Sequence, residues 1–533
     1  MNLSALDLGI VVAYLGGITA AGLWVSRRQR ETSAGYFLAG RSLRWPVIGL
    51  ALFATNISTV HLVGLASSGY SDGLVVGNFE WLAPFLLIAL GLVFAPFYFR
   101  TRIATLPEYL EGRYGPGART VLAAMGVVGA LFIHIGVSLY AGAVVFRSFV
   151  DLDIVWSILI VSVLTALYTV LGGLKAVVVT ETIQTVVLLG GAAAVTVAGL
   201  IALGGAGIHS LADLRAAAKP DQLSMIRTEG GYAWWSMLLG YPVLGLWYWC
   251  SDQTIVQRVL GARSERDAQL GPLFAGFIKI LPLFFMVLPG VLGYVLFRDA
   301  IGDKPDDTLV VLVQRLLPQG LQGLVVAGLL AALMSTVAGA LNSTATLVSI
   351  DILKRLRPDT PDRALVRTGQ VTAVAGMVAA MAWSTQGERF GGIFSGINAM
   401  IAVLAPPISA VFLWGVFWRR GTRQGALATL VGGFLLGAAV FVVDFPAFGL
   451  ELLTKGCGIP FMLQAFLLFA ACSLIHLVTS LLTPPPPPGC VATYCWRNPL
   501  AVITEAPFAG PFDPRLLAGA LVAVMAALYG MFA

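Results

Sequence analysis

The strongest constraint on this chain is a membrane-length apolar segment, residues 51–81, that carries polar side chains in its interior. The residues that interrupt its apolar run are Asn56, Ser58, Thr59 and His61, and Glu80 lies just inside the next run. An unpaired polar group in hydrocarbon costs roughly several kcal/mol, so such residues persist mainly where they line an enclosed and solvated cavity. A hydrogen bond between helices or a re-entrant kink would explain Ser58 or Thr59 alone, whereas an acid near an Asn and a His indicates a binding site.

The same apolar character extends over the whole chain. Of its 533 residues, 58% are hydrophobic and only 11% are charged, which is typical of a polytopic membrane protein and not of a soluble domain. Because a helix needs about 20 apolar residues to cross a bilayer, the sequence predicts about fourteen spans. They start near Leu6, Trp45, Asn78, Arg119, Val155, Ala176, Tyr232, Leu270, Gly320, Val366, Gly392, Gly425, Pro460 and Arg515. The predicted fold class is therefore an all-α polytopic membrane protein.

Basic residues predict the orientation of these spans. Five arginines follow the first span, at Arg27, Arg28, Arg30, Arg41 and Arg44. This places the first loop in the cytoplasm and the N-terminus outside, and an even number of spans returns the C-terminus to the outside. The net charge of +6 follows from this asymmetry and calls for no nucleic-acid partner. We expect a multi-pass protein of the inner cell membrane, in contact with the lipid bilayer.

Residue types that would indicate other functions are not arranged in the required patterns. The five cysteines, Cys250, Cys457, Cys472, Cys490 and Cys495, show no metal-ligand spacing with histidine, so neither a disulfide framework nor a zinc site is predicted. The sequence also shows no pairing of a nucleophile with a base. We therefore do not expect an enzyme.

The order of the spans predicts two halves of five helices. The expected divisions are an N-terminal helix and loop (1–44), a first repeat (45–231), a second repeat (232–418) and C-terminal extra helices with a polyproline cytoplasmic linker at 484–488 (419–533). Polar or Gly and Pro residues interrupt the lead helix of each half, at 56–61 and 240–252. Since five is odd, the second half enters the membrane from the opposite side. This is an inverted repeat with discontinuous lead helices, an architecture that places a substrate site at mid-membrane.

Five motifs in order carry a family resemblance. They are FLAGRSL from Phe37, ALFATNIS from Ala51 with FEW at 79–81, LYTVLGGLKAVVVTETIQT from Leu167, WYWCSDQTIVQR from Trp247 and LNSTATLVSIDI from Leu341. From about Leu6 to Trp418 the chain resembles the solute:sodium symporter family, in its sodium/glucose cotransporter branch. The resemblance implies a LeuT-type 5+5 inverted repeat with discontinuous first and sixth core helices.

The resemblance also implies a sodium site between the first and eighth core helices. Its ligands would be the backbone carbonyls of Ala54, Ile57 and Ala332 and the hydroxyls of Ser335 and Thr336. Positions 332, 335 and 336 share one helix face, and a small hard cation prefers oxygen ligands. The alternative is that the two hydroxyls only bond back to their own helix.

For a sugar, the resemblance points to Asn56, His61, Glu80, Tyr248, Trp249, Lys279 and Asn398. A hexose presents hydroxyls that donate and accept, and these side chains supply acceptors, donors and groups that do both. Tyr248 would be an aromatic platform and the inner gate. Alternatives remain open: Glu80 and Lys279 as a structural ion pair, and Trp249, with its neighbour Trp247, in a membrane-interface belt. His61 and His134 could also be core histidines.

Departures from the family pattern shape the expected specificity. Asn398 replaces a usual Gln, and Gly245 and Ala83 stand where some bacterial members carry polar sugar contacts. Relatives that move two sodium ions carry extra hydroxyls at positions held here by Ala338 and Gly339, with an Asp common at Glu181. We therefore expect a single coupling ion.

Together these observations predict sodium-coupled symport of a hexose such as glucose or galactose by alternating access, with one Na⁺ per sugar. One alternative is a Na⁺ symporter for an inositol-like polyol, an amino acid or a carboxylate. Another is a sugar sensor or ion leak that does not transport productively. The expected partners are the sugar, sodium and the bilayer, and the oligomeric state is left open.

Overall fold

The computed structural model describes residues 3–27, 32–150, 152–385, 393–444, 450–496, 498, 508 and 510–533, without the side chains of 145 and 393–399. Over these residues the chain is helical, and its β structure consists of two isolated bridges, Leu43 with Ala262 and Arg227 with Ala233. A bilayer favours helical structure because a helix satisfies its own backbone polar groups. The prediction of an all-α membrane protein is confirmed.

The long helices are numbered in chain order. They are α1 (Ala5–Ser26), α2 (Trp45–Asn56), α3 (Thr59–Ser71), α4 (Leu74–Thr101), α5 (Pro116–Val150), α6 (Ile154–Gly205), α7 (Trp234–Gly245), α8 (Gln253–Leu260), α9 (Glu265–Ile301), α10 (Leu321–Leu356), α11 (Asp362–Ser384), α12 (Ile393–Phe417), α13 (Arg423–Asp444), α14 (Phe461–Leu482) and α15 (Pro514–Met531). Shorter helices connect them at Ser33–Leu38, Leu106–Tyr114, Leu211–Ala217, Thr308–Leu316 and Pro488–Tyr494.

The described helices that are long and apolar enough to cross a membrane number 11, or 12 if α2 and α3 form one span. The predicted count of fourteen is therefore not confirmed. One difference is α6, whose 52 residues run through two predicted spans because only Gly173 departs from helical dihedral angles. The other is the span expected from Tyr232, which is divided into the short helices α7 and α8.

The interruption predicted between Asn56 and His61 is present and bends α2 against α3 by 63°. Ile57 is extended (φ −81°, ψ 109°), and the backbone N–H of Ser58 donates to Nδ1 of His61 (3.2 Å). This side-chain bond satisfies a donor that the start of α3 would otherwise leave open. The break therefore places helix-terminal backbone groups inside the protein.

A second interruption separates α7 from α8. The chain continues from α7 into a π-helical turn, Leu246–Ser251, and becomes extended at Asp252 (φ −84°, ψ 124°). The carboxylate of Asp252 then accepts from the backbone N–H of Thr254 (3.0 Å) and caps α8. Both predicted lead helices are thus discontinuous.

Burial separates a central helix from peripheral ones. In α10, 94% of the most apolar 18-residue window is buried, against 28% in α14 and 22% in α15. Every residue from Val325 to Leu347 is buried. The polar side chains between these two residues therefore face protein and not lipid.

Several spans contain π-helical turns, which have one residue more per turn than the surrounding α-helix. They lie at Leu90–Phe94 in α4, Gly129–Val137 in α5, Leu283–Val287 in α9 and Leu347–Leu353 in α10. Such turns are frequent at functional sites. Here the turns in α5 and α9 lie in the two helices that carry His134 and Lys279.

Candidate functional site

A cavity lies at the break between α2 and α3 and is also bordered by α4, α5, α7, α9, α10 and α12. Its empty volume, counting the part open to solvent, is about 960 Å³. Six of the seven predicted substrate contacts line it: Asn56, His61, Glu80, Tyr248, Trp249 and Lys279. The seventh, Asn398, lies on α12, and its side chain is outside the described part of the structure. The cavity thus brings together predicted contacts from four separate stretches of sequence.

The two polar residues at the break supply complementary hydrogen-bonding groups. Asn56 is the last residue of α2, and its buried Oδ1 has no hydrogen-bond partner among the described residues. His61 accepts from Ser58 at Nδ1, so a neutral ring carries its proton on Nε2. The break therefore presents an acceptor and a donor at one cavity wall.

Glu80 and Lys279 form a direct ion pair between α4 and α9, and their side chains are only 3% and 1% exposed. The ammonium group also lies 5.5 Å from the ring centroid of Trp249 and 5.9 Å from that of Phe53. The structural ion pair considered from the sequence is thus present, and both of its members border the cavity.

An aromatic segment forms another wall. The rings of Tyr248 and Trp249 meet edge to face with centroids 5.1 Å apart. Trp247 and Trp249 are 5% and 2% exposed. This burial does not support the alternative of a membrane-interface belt, because both rings are enclosed within the protein.

A second cavity, with an empty volume of about 440 Å³, lies beyond this aromatic segment. His134 lines both cavities, and its Nε2 lies 3.0 Å from Oδ2 of Asp252. Trp247 stacks on the His134 ring at 6.3 Å. The His134–Asp252 pair and the aromatic segment therefore form the partition between the two cavities.

Sequence reasoning missed several of these wall residues. His134 was considered as a core histidine, and the cavity residues Phe79, Ser138 and Tyr241 were not singled out as contacts. Asp252 lies in the WYWCSDQ motif, which was the available signal. Its partner is 118 positions away on an apolar helix, and only the fold brings the two together.

The predicted sodium ligands meet where α2 ends against α10. The Ser335 hydroxyl donates to the carbonyls of Ala54 (2.8 Å) and Ala332 (2.9 Å). The Thr336 hydroxyl donates to those of Thr55 (3.1 Å) and Ala332 (3.2 Å). The hydroxyls thus bond to their own helix, as the alternative expected, and they also bond to α2.

The set of oxygen atoms at this junction has the chemistry of a hard-cation site. It consists of buried neutral carbonyl and hydroxyl oxygens, which suit Na⁺. Ile57, the remaining predicted ligand, stands at the break itself, and the Thr55 carbonyl is an oxygen that the sequence did not single out. Within the described ranges no cluster of three or more His, Cys, Asp or Glu could hold a metal.

A second buried ion pair lies next to this junction. Arg258 donates to Glu181 through Nη2 (2.5 Å) and Nε (3.3 Å), and both side chains are 0% exposed. The Thr55 hydroxyl also donates to Glu181 (2.8 Å). A Cβ atom built at Gly339 would lie 2.5 Å from Arg258 Nη2. Position 339, one of the two that carry extra hydroxyls in relatives moving two sodium ions, is thus packed against a guanidinium.

Known protein sequences match most of the chain. The sequence profile of the sodium:solute symporter family matches residues 36–433. Sodium/glucose cotransporter 1 of Oryctolagus cuniculus is 33% identical over 92% of this chain and 81% of its own length. A sodium/mannose cotransporter of Bos taurus is 36% identical over 93% and 89%. Sodium/myo-inositol cotransporter 2 of Oryctolagus cuniculus is 33% identical over 96% and 82%.

Comparisons of structure agree on the fold. A Na⁺-coupled sialic acid symporter, solved in a substrate-bound outward-open state, matches with a TM-score of 0.76 at 20% identity, over 90% of this chain and 99% of that one. Mhp1, a nucleobase-cation-symport-1 family transporter, matches with a TM-score of 0.52 at 12% identity, over 86% and 97%. At these identities the likeness concerns the fold alone.

Proposed function

The chain belongs to the sodium:solute symporter family, and from this premise we propose that it carries a hexose such as glucose or galactose into the cell together with Na⁺. Members of the family are sodium-coupled transporters and not enzymes, and the chain is a multi-pass membrane protein. The observation that carries the choice of a sugar is the cavity lined by six predicted sugar contacts.

The chemistry of the cavity supports a polyhydroxylated, uncharged substrate. Its wall offers an acceptor carboxylate at Glu80, an ammonium donor at Lys279 and Asn56 Oδ1, for which the described residues provide no hydrogen-bond partner. A sugar ring presents both donors and acceptors, and its apolar face suits the edge or face of Tyr248. Because the two charges on the wall neutralise each other, an anionic or cationic solute would find no net opposite charge there.

Sodium would couple to this site through the end of α2. The carbonyls of Ala54, Ile57 and Ala332 and the hydroxyls of Ser335 and Thr336 would hold the ion. Oxygens of α2 and α10 would then share one cation, which fixes the shape of the break and the position of Asn56, next to Thr55. When the ion leaves to the cytoplasm, this constraint is lost and the sugar contacts at the break loosen.

The partition between the two cavities supports alternating access. In the described structure the aromatic segment at Tyr248 and the His134–Asp252 pair separate the sugar cavity from the second cavity. Transport requires that this partition opens while the opposite side closes. The breaks at α2–α3 and α7–α8 allow such movement, since each is flanked by helices that can tilt about an extended residue.

These breaks also support the proposed architecture. We assign residues 45–231 and 232–418 to the two halves of a LeuT-type inverted repeat, with 1–44 and 419–533 as additions. The crossings would number fourteen if the kinked α6 crosses the membrane twice and if α7 and α8 together form one interrupted span. Both termini would then lie outside.

A stoichiometry of one Na⁺ per sugar is supported by the surroundings of Gly339. Gly339 supplies no side-chain oxygen, and the fully buried Arg258 guanidinium, paired with Glu181, fills the space into which a hydroxyl side chain at this position would project. One inward charge gains about 2.3 kcal/mol per 100 mV, which corresponds to concentrating a neutral sugar roughly tens of times.

A sodium-gradient uptake screen in proteoliposomes tests the proposal, with hexoses, inositols and amino acids as solutes. We expect accumulation of at least one hexose that disappears when Na⁺ is replaced by K⁺. Accumulation of an inositol or an amino acid with no hexose uptake would select the corresponding alternative. A sodium current without sugar accumulation would indicate a sensor or leak.

A further inference from the structure

The last helix, α15, contacts the short helical segment that carries Glu80, although its helix window is the least buried among the membrane-length helices. The hydroxyl of Tyr529 donates to Oδ1 of Asn78 (2.8 Å). Asn78 opens the Asn78–Trp81 helix, whose third residue is Glu80. A peripheral helix thus reaches within two residues of the cavity carboxylate.

Asn78 is held on several sides at once. Its side-chain amide donates to the carbonyls of Met225 (2.7 Å) and Val75 (2.9 Å), while its Oδ1 accepts from Tyr529. The backbone N–H of Met225 in turn donates to the carbonyl of Phe532 (2.7 Å), just after α15. The start of the Glu80 segment is therefore fixed by a closed set of hydrogen bonds that includes the end of α15.

Trp81 extends this support to the segment of Lys279. Its ring meets those of Tyr529 (5.4 Å) and Phe532 (5.8 Å) edge to face. Its Nε1–H donates to the carbonyl of Ile280 (3.2 Å), the residue after Lys279. One aromatic side chain thus connects both members of the cavity ion pair to α15.

α15 can lie this close to α9 because of a small residue. A Cβ atom at Gly276 would come within 2.6 Å of Leu521 on α15, and Gly276 lies three residues before Lys279. Leu521 and Met525 are themselves 0% exposed on a helix that is otherwise largely exposed. The buried stripe of α15 is therefore the stripe that faces the Lys279 segment.

We propose that Tyr529 is a positioning residue for substrate binding, acting through Asn78 on Glu80, and that Trp81 does the same for Lys279. The inference rests on the proposed sugar site and adds α15 to it. A helix outside both five-helix halves would then set the geometry of the pair that distinguishes one sugar hydroxyl pattern from another. The hydrogen bond from α15 orients the Glu80 segment, because a hydrogen bond restricts the angle between donor and acceptor and apolar packing does not.

The Tyr529→Phe variant tests this, since it keeps the ring against Trp81 and removes only the hydroxyl. We expect sugar affinity to fall roughly two- to tenfold, the range for one lost neutral hydrogen bond, with unchanged sodium affinity and thermal stability. Tyr70→Phe is the matched control. It removes a hydroxyl that donates to Gly302 (3.0 Å), and Tyr70 is not among the residues that line the sugar cavity.

A double-variant cycle separates positioning from general packing. If Tyr529 acts through Glu80, adding Tyr529→Phe to Glu80→Gln should cause little further loss of sugar affinity. If α15 only supports the fold, the two losses should multiply. Trp81→Phe lacks the N–H that bonds to Ile280, and its loss of sugar affinity should likewise be non-additive with that of Lys279→Ala. This variant also provides a second test if Tyr529→Phe folds poorly.

The outcomes distinguish this inference from the function on which it rests. Wild-type protein that binds no sugar would overturn the proposed function and the inference together. Wild-type sugar binding with unchanged affinity in Tyr529→Phe and Trp81→Phe, or with multiplicative losses in the cycles, would overturn the inference alone.

Discussion

Two buried ion pairs in this protein have similar chemistry and different surroundings. Glu80–Lys279 and Glu181–Arg258 each join an acid to a base from another helix, and none of the four side chains is more than 3% exposed. The first pair borders a cavity of about 960 Å³, whereas the second is enclosed by Thr55, Thr254 and Gly339. A buried charge is accessible to a solute only where a cavity borders it, so the same pairing of acid and base can be enclosed in one region and open to a solute in another.

The enclosed pair should show the largest effect on stability. Glu181→Gln or Arg258→Met leaves one charge buried without its partner, so each is expected to lower the free energy of unfolding by about 3–5 kcal/mol. The double variant should recover much of this loss. Thermal unfolding of the purified protein in detergent measures it.

The exposed pair Arg100–Glu265, with side chains 54% and 33% exposed, provides the control. Glu265→Gln should change stability by less than about 1 kcal/mol. Single variants of Glu181 and Arg258 that unfold at the wild-type temperature would show that the enclosed pair is not needed for the fold.

The junction next to the enclosed pair should show the largest effect on transport. Ser335→Ala and Thr336→Ala each remove a hydroxyl that bonds to α2, and we expect each to abolish sodium-dependent uptake. Sugar binding at saturating sodium should survive at least in part. Thr344→Ala is the control, because this hydroxyl bonds to the Ala340 carbonyl on the same helix. Normal uptake at low sodium in both variants would show that the ion site lies elsewhere.

The cavity pair should respond differently from the enclosed pair. Glu80→Gln and Lys279→Ala are each expected to lower sugar affinity roughly ten- to a hundredfold, because each removes a charge-assisted hydrogen bond of about 1.5–3 kcal/mol. Folded protein that still binds sodium should remain. The double variant should transport no better than either single variant, in contrast to the recovery expected for Glu181 and Arg258. Recovered uptake in the double variant would mean that both pairs are structural.

The smallest expected effect concerns the shape of the dependence of uptake on sodium concentration, and not a loss of uptake. With Arg258 beside Gly339, sugar uptake should depend on sodium with a Hill coefficient near one. Gly339→Ser should lower stability without raising that coefficient, since its side chain would meet the guanidinium. A clearly sigmoidal sodium dependence in the wild-type protein would indicate a second ion.

Sequence reasoning identified the residues whose chemistry conflicts with a lipid environment. Asn56, His61, Glu80 and Lys279 stand out in apolar segments, and the structure places all four at one cavity. Their roles as substrate contacts remain proposals. The helix breaks could likewise be predicted, because polar and Gly or Pro residues interrupt local helical patterns.

Contacts between distant parts of the chain could not be predicted in this way. Asn78 and Tyr529 are separated by 451 positions, and nothing in the local pattern around either indicates the other. The count of fourteen spans is not confirmed for a related reason. Helicity continues through the Gly173 kink, so composition alone does not decide where one crossing ends. Trp249 was ambiguous because a buried ring and an interfacial ring have the same local sequence.

The π-helical turns have a consequence for how this sequence can change in length over evolution. Inserting a residue into an ordinary α-helix rotates everything beyond it by about 100°. The wide turn Leu283–Val287 in α9 already contains such an extra residue and absorbs it locally. A one-residue deletion inside that turn would restore an α-helical turn and keep Lys279 and the later part of α9 on their present faces. A one-residue deletion between Glu265 and Lys279 would instead rotate Lys279 by about 100° relative to the start of α9 and turn it away from Glu80, so tolerance to deletion should be confined to these short windows.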